Sequence, residues 1–147
     1  MRITRITDAA ALRDLYAFRY QIYVDELGWP EPCSPASQPA SQPASQPASQ
    51  PAFVNREAFA DRLLTDRFDA VALNYAAYDE DGVIVGSIRI VPDSPIGLPL
   101  EECWPMNGFR AAKRLAELCR LAVALSRRGT RIPLMSDGRS SLILAQG

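Results

Sequence analysis

Six side chains in this sequence carry charge where their neighbours belong inside a fold. Arg19 falls on an otherwise apolar helical stripe, Asp66 and Asp69 flank an aromatic in Asp-Arg-Phe-Asp, and Arg89 is embedded in the apolar run 83–91. Glu117 and Arg120 lie within Glu-Leu-Cys-Arg-Leu-Ala-Val, 117–123. Taken singly, each reads as a structural ion pair or a solvent-facing position. Taken together, three guanidinium groups and three carboxylates in apolar surroundings are expected to neutralise one another in a single cluster, because a buried charge without a partner is costly. Trp29 follows Leu27-Gly28 where the chain leaves the helix, and is a further candidate.

What the chain lacks bounds the chemistry open to such a set. None of the 147 residues is His, which removes Ser-His-Asp and Cys-His catalysis, His-containing zinc sites and an imidazole switch together. Cys33, Cys103 and Cys119 are an odd number spaced far apart, so neither a metal site nor a disulfide framework is expected, and reduced thiols in a cytoplasm are the simplest reading. Carboxylates then remain as proton acceptors, with arginines and backbone amides as holders of negative charge. Sixteen basic against 17 acidic residues give a net charge of -1, which disfavours nucleic acid as a partner. The balance is uneven: residues 1–100 hold 8 basic and 13 acidic side chains, residues 101–147 hold 8 and 4. A cationic rim for a phosphate-bearing or acidic partner is the sharper reading of that asymmetry, and ordinary surface variation the plainer one. No apolar run approaches the roughly 20 residues of a membrane span, and the N-terminus lacks a signal peptide's apolar core, so a soluble intracellular protein without a transmembrane segment is expected.

The elements that must position these residues are partly legible. Asp8 to Glu26 reads as a helix or two short helices, with Thr7 as cap, Asp8 in the first turn, Gly28 as the stop, and Leu12, Leu15, Ile22 and Tyr23 at helical spacing. Residues 30–52 hold four registered copies of Pro-Ala-Ser-Gln and a further Pro-Ala. Prolines every four residues and no large apolar side chain predict a disordered loop interrupting one domain that spans 1–147. Asn55 caps a second short helix reaching Thr65. The runs 71–78 and 83–91 flank Asp79-Glu80-Asp81-Gly82 and predict a β-hairpin, with Val83, Val85, Ser87 and Arg89 on one face. A proline-rich connection and a helical turn at 109–115 lead to a third strand, 117–123. In a flat strand Glu117 and Arg120 point to opposite faces, so a bulge near 118–120 is expected if both serve one cleft.

The ordered set FRYQIYVDELGW (18–29), DRFD (66–69), GSIRIVP (86–92) and ELCRLAV (117–123) resembles the hallmarks of bacterial autoinducer synthases and their N-acyl amino acid synthase relatives. Arg19, Tyr23 and Trp29 match an Arg followed by an aromatic four residues later and a Trp ten later. Asp66, Asp69 and Arg89 match two Asp three apart with an Arg twenty residues on, and Glu117 with Arg120 matches a Glu-x-x-Arg pair. The stretch Leu98 to Cys103 and the pair Arg127-Arg128 are similar to the acyltransferases associated with PEP-CTERM/exosortase systems, a branch of the same superfamily.

The resemblance implies an α+β, GNAT-like fold, a mixed but largely antiparallel sheet with flanking helices, entered by an acyl-phosphopantetheine arm where two strands splay. It implies transfer of a fatty acyl group from an acyl carrier protein, or coenzyme A, to a small amine acceptor, with the acyl-phosphopantetheine thioester as co-substrate and no bound cofactor or metal. Glu117, Arg120 and Arg89 are then the catalytic candidates, Arg19, Tyr23, Trp29, Asp66 and Asp69 the substrate-binding ones, and Arg127 and Arg128 the carrier-facing ones. Only 24 residues follow Val123, fewer than the family places there, so the domain is expected to be incomplete at its C-terminus. A non-catalytic remnant, or an acyl-homoserine lactone synthase using S-adenosylmethionine, are the competing readings.

Overall fold

A computed structural model of the chain describes residues 1–28, 55–102 and 114–129 and the backbone of 142–146. The repeat segment and Trp29 lie outside the described residues, as does the expected turn over 109–113. The architecture is α+β. Five strands, β1 (Arg2–Ile6), β2 (Leu73–Tyr78), β3 (Ile84–Pro92), β4 (Arg114–Val123) and β5 (Leu142–Gln146), form one sheet in the order of the chain. All four pairings are antiparallel, so no parallel pair occurs among the described residues. Residues 114 and 115, expected at the end of a helical turn, begin β4 instead.

Helix α1 (Ala9–Tyr20) continues as a π-helical stretch, Gln21–Glu26. Its cap is Asp8, not Thr7: the Asp8 carboxylate accepts from the amides of Ala10 and Ala11, both at 3.0 Å. A carboxylate there satisfies orphan donors and also meets the positive end of the helix dipole. Gly28, at φ +70, leaves the helix through a left-handed conformation that favours glycine. The short helix α2 (Arg56–Ala60) is capped by Asn55 as expected, and its Phe59 packs with Tyr20 and Leu64.

Two slips of the ladder set which side chains meet the helix. Ala77 and Tyr78 of β2 pair with Gly86 and Ile84 of β3, leaving Val85 as an extra residue. Hence Ile84, not Val85, joins the face carrying Ser87 and Arg89, and packs with Ile6, Leu15 and Ala76. Val85 turns to the other face against Ala77 and Val123, correcting the simple alternation expected for this strand. The second slip lies in β4, where Ser87 pairs with Ala122 but Arg89 with Cys119, so β4 carries one residue more than β3 between these pairs. Cys119 and Ala122, three apart, therefore share the helix-facing side.

Candidate active site

The buried charge gathers on that helix-facing side. Arg19 is fully buried on the last turn of α1, with Nη1 3.3 Å from Asp69 Oδ1 and Nη2 donating to Asn74 Oδ1 at 2.7 Å. Arg89, from the middle of β3, places Nη1 2.7 Å from Asp66 Oδ1 and 3.1 Å from Asp69 Oδ2, and its Nε donates to Cys119 Sγ at 3.3 Å. Arg120 closes the set with Nη2 2.9 Å from Asp66 Oδ2. Five of the six expected residues thus form one network. Glu117 stands apart: buried on β4, its Oε2 accepts from the Leu100 amide at 2.8 Å, in the 3-10 turn Pro99–Glu102.

Local folding explains the spacing of the aspartates. Asp66 Oδ1 accepts from the Phe68 amide at 2.9 Å, Asp69 Oδ2 accepts from the Asp66 amide at 2.9 Å, and the pair forms a reciprocal capping box on the 3-10 turn Arg67–Ala70. Phe68, held between them, is fully buried with Val91, Leu98, Leu115 and Cys119. The bulge in β4 does the equivalent for Arg120, whose φ of +53 is a left-handed conformation costing a non-glycine residue on the order of 1–2 kcal/mol. That turn of the backbone brings Arg120 to the carboxylates on the side where Glu117 already points.

Burial and pairing set the proton affinities. Burial raises the Asp66 carboxyl, but the guanidinium groups of Arg89 and Arg120 outweigh it and hold it below the usual carboxylate range. Arg89 is desolvated too, yet Asp69 and Asp66 hold it above its ordinary value. Arg19 is lowered, because burial outweighs Asp69 and both neighbouring arginines repel it. Its Nε has no hydrogen-bond partner among the described residues. Burial raises Glu117 despite the Leu100 amide, and it raises the Cys119 thiol, which stays protonated and inert at neutral pH.

Among the described residues this network joins three guanidinium groups and two carboxylates. Comparison with known families matches residues 14–137 to the family described as N-acyl amino acid synthase FeeM. The chain belongs to the FeeM family. It is by that membership a chain of the acyltransferase class that makes N-acyl amino acids. No curated protein and no solved structure matches it.

Within this FeeM-family chain, the other expected site residues fall as follows. Tyr23, on the π-helical stretch, donates its hydroxyl to the Leu121 carbonyl at 2.7 Å, and the Arg120 guanidinium lies 5.9 Å from its ring centroid. Arg127 and Arg128 sit on the surface just past β4. Arg128 bridges to Glu26 at 2.6 Å and donates to the Val123 carbonyl, while Arg127 lies 3.8 Å from Asp79. An open groove of about 670 Å³ on the outer side of α1, lined by Arg13, Asp25 and Arg62 among others, includes none of the charged network. Among the described residues no three His, Cys, Asp or Glu side chains converge to hold a metal ion, and no helix is long and apolar enough to cross a membrane.

Asn74 is the member that sequence reasoning missed. It is buried on β2, paired in register with Arg89, and supplies the shortest hydrogen bond that Arg19 makes. A lone amide in the apolar run VALNYAAY was the available signal.

Proposed function

We propose that this chain transfers a fatty acyl group from the phosphopantetheine thioester of an acyl carrier protein, or from coenzyme A, to the amine of an amino acid. One observation carries the reading: a buried carboxylate, Glu117, shares a face with a buried ion-pair network rich in arginine. Arginines gathered in this way suit an acceptor that brings its own carboxylate. The amine nitrogen attacks the thioester carbonyl, the carbonyl electrons move to oxygen and return, and the C–S bond breaks with the pair leaving on sulfur. Glu117 takes the amine proton through water, and the proton ends on the departing thiolate. A thiol with a pKa near 8.5 leaves readily where an alkylamine near 10.4 does not, so no strong acid is needed. A carboxyl group raised by burial is the better base near neutral pH.

The fold is read as GNAT-like, with the acyl arm entering at the bulge between β3 and β4. Arg127 and Arg128, exposed just beyond that point, are read as facing the acidic carrier.

The full chain, supplied with acyl carrier protein thioester, acyl coenzyme A and a mixture of amino acids, is expected to yield N-acyl amino acids by mass spectrometry. No acylated amine from either donor overturns the reading, and acyl-homoserine lactone formed only with S-adenosylmethionine replaces it.

A further inference from the structure

A bulge breaks the hydrogen-bond ladder, so its carbonyls need other donors. In β4 the two consecutive carbonyls of the bulge are met by hydroxyls from two different elements. Tyr23 Oη, from the helix, donates to the Leu121 carbonyl at 2.7 Å. Ser87 Oγ, buried on β3, donates to the Arg120 carbonyl at a longer and weaker 3.2 Å. Arg120 itself, which carries the first of these carbonyls, has φ +53, a conformation that persists in a non-glycine residue only where its surroundings impose it. The Tyr23 ring also lies under the Arg120 guanidinium, so one side chain touches both the backbone that aims Arg120 and the charge being aimed.

We propose that Tyr23, seconded by Ser87, is a positioning residue for Arg120, holding the bulge open in the left-handed state that delivers the guanidinium to Asp66. Tyr23 thus acts on the reaction through Arg120 and not by binding the acceptor with its hydroxyl. Burial raises the Tyr23 phenol above its ordinary range, so the hydroxyl is a proton donor at all working pH values. The structural half of this proposal is independent of any activity; the kinetic half rests on the acyltransferase reading above.

Tyr23→Phe keeps the ring and removes the donor. In the full chain, hydrogen exchange at the Arg120 guanidinium, followed by nuclear magnetic resonance of its Nε–H group, is expected to quicken about tenfold, the worth of one lost hydrogen bond. Ser87→Ala quickens it less, and Ser87→Thr restores the parent rate. Unchanged exchange in both Tyr23→Phe and Ser87→Ala overturns the proposal, whether or not the chain has activity. Given acyl transfer, Tyr23→Phe lowers kcat with the acceptor KM unchanged, and adds no further loss in an Arg120→Met background. A raised acceptor KM that persists in that background shows direct substrate binding and overturns it.

Discussion

Arg120 Nη2 reaches Asp66 Oδ2 at 2.9 Å across 54 residues of sequence, and does so from a left-handed backbone. Asp66 receives Arg89 on its other oxygen, so among the described residues it is the one carboxylate that ties β3, β4 and the 66–70 turn together. Its folded pKa is lowered, so its contribution to stability is full above the unfolded value of about 3.9 and is lost as pH falls through the lower folded one. Urea midpoints of the parent are expected to drop steeply below about pH 4. Asp66→Asn should lose about 3–5 kcal/mol at pH 7 and lack that acid limb. Parallel pH curves for the two proteins would show that Asp66 is not the titrating group.

Arg89 discriminates between loss of a partner and gain of a like charge. Arg89→Met leaves Asp66 and Asp69 with Arg120 and Arg19 and fills part of the volume, at a cost of about 3–5 kcal/mol. Arg89→Glu sets a third carboxylate beside the two aspartates and is expected to prevent accumulation of folded protein at pH 7. Thermal unfolding and soluble yield rank the two, and the reverse order contradicts the network.

For Glu117 the sign of the pH effect is opposite. Its folded pKa is raised, so ionisation costs stability: the fold is favoured below the unfolded value of about 4.3, and that advantage is lost as pH rises through the higher folded one. Glu117→Gln keeps the shape and an acceptor for the Leu100 amide, and should be at least as stable as the parent at pH 7. Its acyl-transfer rate should fall about 100-fold with carrier binding unchanged. A Gln variant as fast as the parent removes Glu117 from the chemistry.

Removing Pro35–Gln50 is expected to leave the unfolding midpoint unchanged, since the segment has no large apolar side chain to bury and loop closure depends only weakly on length. Differential scanning calorimetry of the shortened and parent chains tests this, and a lowered midpoint assigns the repeat a packing role.

The charged network was legible because Arg19, Arg89 and Arg120 interrupt apolar runs, a local anomaly that periodicity exposes. The bulge was legible because Glu117 and Arg120 stand three apart in a structure of period two. β1 was not read as a strand: of Arg2–Ile6 only Ile6 is buried, so an edge strand left little apolar pattern. The displaced phase of Val85 was hidden because a one-residue slip depends on the neighbouring strand, not on the sequence that slips. Thr7 and Asp8 are both competent caps, and only the backbone decides between them. The capping-box geometry of Asp66 and Asp69 was present in their spacing, but three guanidinium groups in need of partners drew the reading to ion pairing alone.

That the two aspartates both cap a turn and anchor the arginines has a genetic consequence. A variant at Asp66 leaves two buried arginines short of a carboxylate, and all but Asn lose the Phe68 cap as well, so such alleles should surface as low abundance in the cell, cleared before any catalytic defect is expressed. Alleles of Glu117, which holds a single backbone amide, should instead accumulate to normal levels and be silent in any screen that counts molecules. Within one cluster, protein quality control and substrate turnover would therefore read different residues.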